Sequence, residues 1–460
     1  MARDVTDTTP ITSRDALVAW IESGAKPRTQ FRIGTEHEKF AFYRSDHVPV
    51  PYEGQQFHGV GGIRALLEGM QNRLGWEPVT DNGQIIGLFD AAADAAISLE
   101  PGGQFELSGA PLTTIHETKA ELDEHLAVLK TIAEPMGIGF LGLGMNPKWR
   151  LSDIPLMPKQ RYAIMMKYMP TVESRGLDMM FRTCTVQANL DYSSESDMVK
   201  KLRVSLALQP LTTALFANSP FTDGKLNGFL SARSEIWRHT DAARTGMLPF
   251  VFEAGMSYER YVDYALSVPM YFVKRGGLYH NVAGADFGDL LQGKLAELPG
   301  EQATLSDWAN HLSTIFPEVR LKRYLEMRGA DAGPRPFLVA LPALFAGLLY
   351  EPSALDAAWD IIKDWSREER EQLRADVPRL GLKAMVHGRK LSEVAAQVLA
   401  IARGGLTNRN KRDSSGQDET IFLDPLERVL AEKSEAERLI DKYKTQWRGS
   451  VDPAFEECIY

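Results

Sequence analysis

Glutamate residues set inside apolar stretches are the residues of this chain whose type and spacing suggest chemistry. Glu36 and Glu38 lie in the stretch IGTEHEKFAFY, and Glu106 lies in QFELSG. A charged carboxylate among apolar residues needs a partner or a metal ion, because burying it alone is costly. Mg²⁺ prefers oxygen ligands and bridges the phosphates of nucleotides. For any single pair a solvent-facing strand is the more common explanation, so the neighbouring residues must decide.

Two further glutamates extend this set of possible metal ligands. Glu100 stands just before the turn Pro101-Gly102-Gly103, and Glu326 stands in the charged stretch LKRYLEMR. A strand places every second residue on the same face, so residues spaced like Glu36 and Glu38 would point the same way. The sequence therefore predicts a Mg²⁺ site formed by Glu36, Glu38, Glu100, Glu106 and Glu326.

Basic residues that could face this site occur in segments with little other reason to carry a cation. They are Lys148, Arg161, Arg182, Arg233 and Arg328. Arginine suits carboxylate and phosphate, because its planar guanidinium donates two parallel hydrogen bonds. An exposed helix arginine explains Arg161 and Arg233 about as well as a site residue does. Arg328 is the stronger candidate, because it stands two residues from Glu326.

Other common sites are not supported by the sequence. The chain contains no HExxH or CxxC spacing, so a zinc site is not expected. The segment Gly288 to Lys294 matches a phosphate-binding loop until Leu295 replaces the required Ser or Thr, and we interpret it as a helix end. His37 alternates away from the neighbouring glutamates and is expected in the core.

Composition and charge disfavour several classes of partner. The net charge of -9 and the pI near 5.6 argue against nucleic acid and anionic membrane surfaces. Cys184 and Cys458 are too few for a disulfide framework. The apolar segment from Phe337 to Tyr350 is too short to cross a membrane and is expected in the core. The first residues show no targeting pattern, so a cytoplasmic location is expected.

The candidate residues require strands that hold them on one face. Aromatic and β-branched residues predict a strand over Phe31 to Tyr43 and short strands within residues 84–109. A further strand over Phe181 to Tyr192 has one polar and one apolar face. Another over Leu321 to Arg328 has an unusually charged face. These strands would carry most of the candidate side chains.

Helical spacing of apolar residues predicts helices between and after these strands. Thr113 or Thr114, together with Glu117, predicts a capping box at the start of one of them. The predicted helices are 15–22, 114–133, 353–363, 366–376, 389–403 and 425–446, with a polar loop over 404–420. Strands followed by helices, without regular βαβ alternation, predict an α+β fold rather than a doubly wound parallel sheet.

Long motifs in order along the chain match one family. They are GTEHEKFAF, SLEPGGQFELSGAP, NPKW, DIPLMPKQRYAIM, FRTCTVQANLDY, LQPLTTALFANSPF, SARSEIWRHTDAARTGMLPF, PEVRLKRYLEMRGADAGP and SVDPAFEE. With these motifs the chain resembles the glutamate-cysteine ligases of the plant and proteobacterial type. The resemblance covers nearly the whole sequence.

The resemblance implies a fold and roles for individual residues. It implies a curved antiparallel sheet like that of glutamine synthetase, surrounded by helices, in a single catalytic domain over 1–460 that is mainly helical from about residue 335. It implies Mg²⁺ and ATP as the bound groups. The implied metal ligands are Glu36, Glu38, Glu100, Glu106, Glu326 and Asn189. The implied substrate-binding residues are Arg161, Arg233, Trp237 and Gln187, and the implied catalytic residues along the phosphates are Arg328, Arg182 and Lys148.

The resemblance also implies a reaction. L-cysteine would be joined through its amine to the γ-carboxylate of L-glutamate at the expense of Mg-ATP, through a γ-glutamyl phosphate, to give γ-glutamylcysteine in the first step of glutathione biosynthesis. Two alternatives stay open: a ligase with a different amine acceptor, and a non-catalytic nucleotide-binding relative. Plant members carry additional cysteines that link redox state to dimerisation, and this chain lacks them. A monomer or weak homodimer is therefore expected.

Overall fold

The strand that carries Glu36 and Glu38 lies in the middle of the main sheet. The computed structural model describes residues 7–54 and 61–460 of the chain. The strands of this described part are, in chain order, β1 (Ile33–Tyr43), β2 (Glu77–Asp81), β3 (Gln84–Asp90), β4 (Ala95–Leu99), β5 (Phe105–Ser108), β6 (Ile138–Leu141), β7 (Thr185–Leu190), β8 (Phe221–Thr222), β9 (Lys225–Leu226), β10 (Thr245–Gly246), β11 (Phe272–Arg275), β12 (Leu278–Asn281), β13 (Phe316–Pro317), β14 (Val319–Leu321), β15 (Leu325–Asp331), β16 (Met385–Val386) and β17 (Arg389–Lys390).

The main sheet is open and consists of β1 to β7 with β14 and β15. Its order is β14-β15-β7-β1-β5-β4-β3-β2, and β6 pairs with the second half of β1. Adjacent strands in this sheet are antiparallel. The prediction of an α+β fold built on an antiparallel sheet is confirmed.

Helices cover the sheet and make up most of the chain after residue 335. In the described residues they are α1 (Arg14–Glu22), α2 (Ile63–Leu74), α3 (Ile115–Ala133), α4 (Gln160–Val172), α5 (Gly176–Arg182), α6 (Glu195–Leu215), α7 (Ala232–Trp237), α8 (Tyr258–Ser267), α9 (Phe287–Leu291), α10 (Leu305–Ser313), α11 (Arg335–Leu349), α12 (Pro352–Ile362), α13 (Arg367–Leu380), α14 (Leu391–Arg409), α15 (Asp424–Ala431), α16 (Glu435–Thr445) and α17 (Ala454–Glu457).

The predicted capping box at the start of α3 is present. Thr114 Oγ1 accepts a hydrogen bond from the backbone N–H of Glu117 at 3.1 Å, and the Glu117 carboxylate accepts one from the N–H of Thr114 at 2.9 Å. These two bonds satisfy backbone donors that a helix start otherwise leaves free. The boundaries of α1, α12 and α13 also agree with the sequence prediction to within a few residues.

Two predictions in the helical part were wrong in detail. The helix expected over 425–446 is two helices, α15 and α16, because Ser434 starts a new capping box with Glu437. The polar loop expected over 404–420 begins later, since α14 continues to Arg409. Gly405 does not end this helix but allows it to pack closely on α11: a Cβ there would lie 1.8 Å from the carbonyl oxygen of Gly347.

The apolar face of the sheet packs against helices from both halves of the chain. Val186, Ala188 and Leu190 of β7 are buried in one hydrophobic cluster with residues of α6, α11 and α14. α11 is buried from Phe337 to Leu349, which confirms the prediction that this apolar segment belongs to the core. Within the described residues no single helix is long and apolar enough to cross a bilayer; α11 and α12 pass that test only as a pair bent by 93°.

Two predicted strands were partly wrong, and both errors concern charged residues. The strand expected from Phe181 begins at Thr185, because Arg182 is the last residue of α5. The strand expected over Leu321 to Arg328 is a hairpin, in which β14 turns at residues 322–324 and returns as β15. Alternating residues continue through this turn without Gly or Pro, so the sequence pattern does not reveal it.

A bulge in β15 lies beside Arg328. The register of β15 against β7 shifts between Met327 and Ala330. The backbone N–H of Gly329 donates to Gln209 Oε1 at 2.8 Å, and a Cβ at Gly329 would lie 2.5 Å from that oxygen. Bulges bend a strand locally and change the direction of nearby side chains. The glycine therefore allows the backbone geometry that presents Arg328.

We propose that the sheet and the C-terminal helices form one folding unit, as the sequence suggests. Glu419, which is fully buried, connects them. Its Oε1 accepts a hydrogen bond from the N–H of Ile115 at the start of α3 at 2.8 Å, and its Oε2 accepts one from Arg409 Nε of α14 at 3.1 Å. The two contacts join helices that are distant in sequence.

Replacing Glu419 by alanine tests this proposal. The variant leaves the Ile115 N–H and the Arg409 guanidinium without their acceptor, so the free energy of unfolding should fall by about 2–4 kcal/mol. The measurement is chemical denaturation followed by circular dichroism. Glu432→Ala is the control, because Glu432 pairs with Arg438 at the surface and should change stability little. A split of the variant's transition into two steps would contradict the single unit.

Candidate active site

Antiparallel pairing brings together glutamates that are distant in sequence. Glu38 of β1 is directly opposite Glu106 of β5. On the other side of β1, Glu36 is directly opposite Gln187 of β7. Directly opposed residues point to the same face, with their Cβ atoms about 4.5–5.5 Å apart. The polar faces predicted from alternation therefore meet on one face of the sheet.

These side chains line a cavity that holds most of the predicted site. The cavity encloses about 840 Å³ of empty space, part of it open to solvent. The predicted site residues that line it are Glu36, Glu38, Glu100, Glu106, Arg161, Gln187, Arg233, Trp237 and Arg328. The predicted residues that do not line it are Lys148, Arg182, Asn189 and Glu326.

The surroundings of the two β1 carboxylates disfavour their negative charge. Burial raises the pKa of Glu36, and the nearby carboxylates of Glu326 and Glu106 raise it further. Burial also raises the pKa of Glu38 well above its usual value, and repulsion from Glu100 and Glu106 adds to the effect. Both shifts disfavour the ionised form. A cation between these carboxylates would reverse this.

Neutral donors orient the carboxylates without removing their charge. Asn189 Nδ2 donates to Glu36 Oε1 at 2.8 Å, and the backbone N–H of Thr185 donates to Glu38 Oε2 at 2.9 Å. Ser98 Oγ donates to Glu106 Oε2 at 2.7 Å. Asn189 thus contacts a cavity carboxylate although it does not line the cavity itself. Such bonds fix the positions of the oxygens that face the cavity.

Glu326 differs from the other four glutamates, because it is surrounded by cations. It is fully buried, and burial alone would raise its pKa, but Arg320, Lys322 and Arg328 outweigh burial and hold the pKa well below the usual value. Arg320 Nη2 lies 2.6 Å from Oε1 and Lys322 Nζ lies 2.8 Å from Oε2. To bind a metal, Glu326 would have to exchange one of these cations for it.

The arginines of the cavity are held by the same strands and by α7. Arg328 donates through Nη1 to Gln187 Oε1 at 2.6 Å and also pairs with Glu326. Arg233 of α7 donates through Nη2 to the carbonyl oxygen of Arg328 at 2.8 Å. Both guanidinium groups lie 5.8 Å from the ring centre of Trp237. This packing keeps two cations close together facing the cavity.

The structure does not place Lys148 and Arg182 in the predicted position along the phosphates. Lys148 Nζ donates to Asp452 Oδ1 at 2.6 Å in a half-exposed surface pair. Arg182 is buried, but its guanidinium donates to Asp178 at 3.2 Å and to Asp223 at 2.6 Å. Arg182 is the last residue of α5, and its guanidinium is held by these two aspartates outside the residues that line the cavity.

Sequence reasoning missed the cations that hold Glu326. Arg320 of β14 is directly opposite Glu326 of β15, and Lys322 lies in the turn between the strands. A hairpin prediction for this segment would have paired Arg320 with Glu326 by register alone. Tyr162, which donates to the carbonyl oxygen of Leu99 at 2.7 Å, is a further cavity residue that was missed.

The motifs that were set aside lie outside the cavity, as expected. His37 is buried on the opposite face of β1, with Nδ1 3.0 Å from Lys39 Nζ, and burial lowers its pKa well below the usual value. The segment Gly288 to Lys294 covers most of the short helix α9 and its C-terminal end, where Lys294 Nζ donates to Gln292 Oε1.

The donor set fits a divalent cation. In the part of the chain that the structure describes, no three His, Cys, Asp or Glu side chains are close enough to hold a metal ion as they stand. Yet burial and neighbouring carboxylates raise the pKa of both Glu36 and Glu38, and the buried Oδ1 of Asn189 has no hydrogen-bond partner among the described residues. Oxygen donors of this kind are the ligands of Mg²⁺.

The arrangement is chemically suited to phosphoryl transfer. The lining of the cavity offers both carboxylate oxygens and the guanidinium groups of Arg161, Arg233 and Arg328. Transfer of a phosphoryl group depends on charge neutralisation and positioning more than on a protein nucleophile. A carboxylic acid substrate would be recognised by the same guanidinium groups.

Comparison with known proteins agrees with this chemistry. A family model described as "Glutamate-cysteine ligase family 2(GCS2)" matches residues 32–457. "Glutamate--cysteine ligase B, chloroplastic" of Oryza sativa subsp. japonica is 53% identical over 454 residues, which cover 98% of this chain and 88% of that relative. "Glutamate--cysteine ligase, chloroplastic" of Nicotiana tabacum is 54% identical over 452 residues, covering 98% of this chain and 83% of that relative.

A solved structure shows the same fold at low identity. It is a glutamate-cysteine ligase of Francisella tularensis in complex with AMP, with a TM-score of 0.55 and 12% identity, covering 93% of this chain and 87% of that one.

The expected cytoplasmic location is corrected by the comparison. The relatives from rice, tobacco and Arabidopsis thaliana are all named chloroplastic, which contradicts the expectation of a cytoplasmic location. The expectation rested on the first residues of the sequence, and targeting segments are not part of a folded domain.

The family model spans most of the chain, and relatives share more than half of its residues over nearly its full length. The chain is therefore a ligase enzyme that belongs to glutamate-cysteine ligase family 2.

Proposed function

We propose that the chain joins the amine of L-cysteine to the γ-carboxylate of L-glutamate with Mg-ATP, through a γ-glutamyl phosphate, as the first step of glutathione biosynthesis. The observation that carries this proposal is the group of carboxylates, Glu36, Glu38, Glu100 and Glu106, that lines one cavity together with arginines. A carboxylate is a poor electrophile until it is phosphorylated, so ligation at this carboxylate requires a nucleotide, and a cavity that offers metal ligands and arginines suits phosphoryl transfer.

Arg161, Arg233 and Trp237 are proposed to bind glutamate. The three line the cavity, and Arg233 is fixed by its bond to the carbonyl oxygen of Arg328. Guanidinium groups held in this way bind a carboxylate with defined orientation, which positions the γ-carboxylate for attack on the γ-phosphorus.

Arg328 is proposed to stabilise the transferred phosphoryl group. Its Nη1 is shared between Gln187 and Glu326, so the guanidinium cannot rotate freely. A fixed cation stabilises charge that develops on the phosphoryl oxygens without reorganising during the reaction.

We propose that Mg²⁺ is held by Glu36, Glu38, Glu100 and Glu106. Glu326 is proposed as a further ligand, and Asn189 orients Glu36. Mg²⁺ bound there would neutralise phosphate charge. The bonds from Thr185, Asn189 and Ser98 keep the carboxylate oxygens directed at the cavity.

The acceptor amine is the open part of this proposal. The cavity also has an apolar wall that includes Met165, Met179, Met180 and Phe272, and this wall does not by itself select a thiol. The alternative is a γ-glutamyl ligase that uses another amine. We also propose a monomer or weak homodimer in solution, which light scattering would test.

ADP release with different amines tests the reaction. With Mg-ATP and glutamate, cysteine should give the fastest turnover, ahead of 2-aminobutyrate and ammonia. Glu38→Gln should lower kcat by at least about 100-fold, because it removes a charged oxygen donor from the proposed metal site. Glu77→Gln, an exposed residue of β2 in the same sheet, is the matched control and should match the unchanged enzyme.

Faster turnover with another amine would identify that amine, and not cysteine, as the acceptor. If the folded protein releases no ADP with any of these amines, the ligase reaction is rejected. Full activity of Glu38→Gln would reject the proposed metal site.

The same substitution should stabilise the enzyme in the absence of Mg²⁺ and nucleotide. Burial raises the pKa of Glu38 above its unfolded value near 4.5, so its contribution to stability is full below that value and is lost as the pH rises through the folded pKa. Glutamine does not ionise, so Glu38→Gln should raise the free energy of unfolding by about 1–2 kcal/mol at pH 8. This increase should vanish near pH 5.

Thermal unfolding at both pH values, with a chelator present, measures this difference. Glu77→Gln should show no gain at either pH, since its side chain is exposed. A Glu38→Gln variant that is less stable than the unchanged enzyme at pH 8 would show that the carboxylate is not destabilising in the folded state.

A further inference from the structure

A narrow recess adjoins the arginine side of the main cavity. It encloses about 290 Å³ of empty space and shares Arg233, Trp237 and Arg328 with the cavity. Arg374 of α13 and Glu318 line the recess without lining the cavity. Arg374 is thus a residue from the C-terminal helices that reaches the edge of the site.

The lining of the recess is rich in positive charge. It contains three arginines and one carboxylate, that of Glu318. Arg374 Nε donates to Glu318 Oε1 at 2.8 Å, and both side chains are largely buried, at 13% and 12% exposure. The negative charge of Glu318 also favours the protonated form of Arg233. One carboxylate therefore serves more than one guanidinium group.

Two hydrogen-bond donors at the recess lack an acceptor. Arg374 Nη2 and Trp237 Nε1 are both buried, and neither has a partner in the described residues. Buried donors in native proteins are nearly always bonded, because an unsatisfied one loses the hydrogen bonds it made to water. An oxyanion could accept from both, and a guanidinium group is the usual donor to such a group.

We propose that the recess binds the α-carboxylate of the amino acid whose γ-carboxylate is activated, with Arg374 as a binding residue. This rests on the proposed function, which takes glutamate as that substrate. The γ-carboxylate must reach the main cavity, so the other end of the molecule falls on the side of Arg233 and Trp237, where the recess opens. A phosphate is also an oxyanion, and kinetics with glutamate and with ATP distinguish the two.

Kinetics of Arg374→Gln test the assignment. The Michaelis constant for glutamate should rise about 10- to 100-fold, because a charge-assisted hydrogen bond is lost, while the constant for ATP should stay nearly unchanged. The unchanged enzyme should prefer glutamate over its α-amide, and Arg374→Gln should lose most of that preference. Arg367→Gln is the matched control, since Arg367 lies exposed at the start of the same helix.

A second variant and a binding measurement separate recognition from folding. Arg374→Lys keeps the charge but not the planar fork, so its constant for glutamate should lie between those of the unchanged enzyme and Arg374→Gln. Calorimetric titration with glutamate and with its α-amide, without ATP, should show the same loss of preference. If Arg374→Gln does not fold, Arg374→Lys carries the test.

Three results would overturn the assignment. A raised constant for ATP with an unchanged constant for glutamate would place a phosphate in the recess instead. Equal loss of affinity for glutamate and its α-amide would give Arg374 no role in reading the carboxylate. A lower kcat or melting temperature with both constants unchanged would leave Arg374 a structural residue. If the unchanged enzyme releases no ADP yet binds glutamate in an Arg374-dependent way, the proposed reaction fails and the recess assignment stands.

Discussion

The repulsion among buried carboxylates in one cavity is the constraint on which the rest of the site depends. Glu36 and Glu38 disfavour their ionised forms because burial and neighbouring glutamates act together on them. Glu326 lies on the same sheet and is buried more deeply, yet its pKa is held low by surrounding cations. The protein thus neutralises one glutamate internally and leaves the cavity glutamates to be neutralised by what binds there. A fold that supplied internal partners to all of them would have no place for a metal and phosphates.

Such a site needs a rigid support, and the antiparallel sheet provides it. β1 lies between β5 and β7, so Glu38 meets Glu106 on one side and Glu36 meets Gln187 on the other. Backbone and amide donors then fix each carboxylate without changing its charge. The helices behind the sheet exclude water from its apolar face, where Val186 and Leu190 are fully buried. Rigidity is what prevents the carboxylates from moving apart to relieve their repulsion.

The sequence was sufficient for features that depend on local pattern. Alternation on β1 placed Glu36 and Glu38 on one face, and the capping residues of α3 fixed its start. It was insufficient where an interaction joins distant segments or where a turn lacks its usual residues. The turn at residues 322–324 has no glycine or proline, so the pairing of Arg320 with Glu326 stayed hidden. Arg182 alternates like a strand residue but ends a helix, because α5 continues through it.

Arg374 is a further residue whose position beside the site could not be predicted from the sequence. Nothing in the charged sequence of α13 distinguishes it from the exposed arginines on that helix. Its position follows from the packing of α13 on α6 and α7, which places Arg374 in the recess with residues of β13 and β15. That packing gives the site two unlike halves. On the sheet side, the carboxylates and Asn189 Oδ1 offer unused acceptors, while on the helix side Trp237 Nε1 and Arg374 Nη2 offer unused donors. A metal ion bound with phosphate would meet the acceptors on the sheet side, and a substrate carboxylate would meet the donors on the helix side. A substrate that uses both halves would be selected over simple ions, which either half alone could bind.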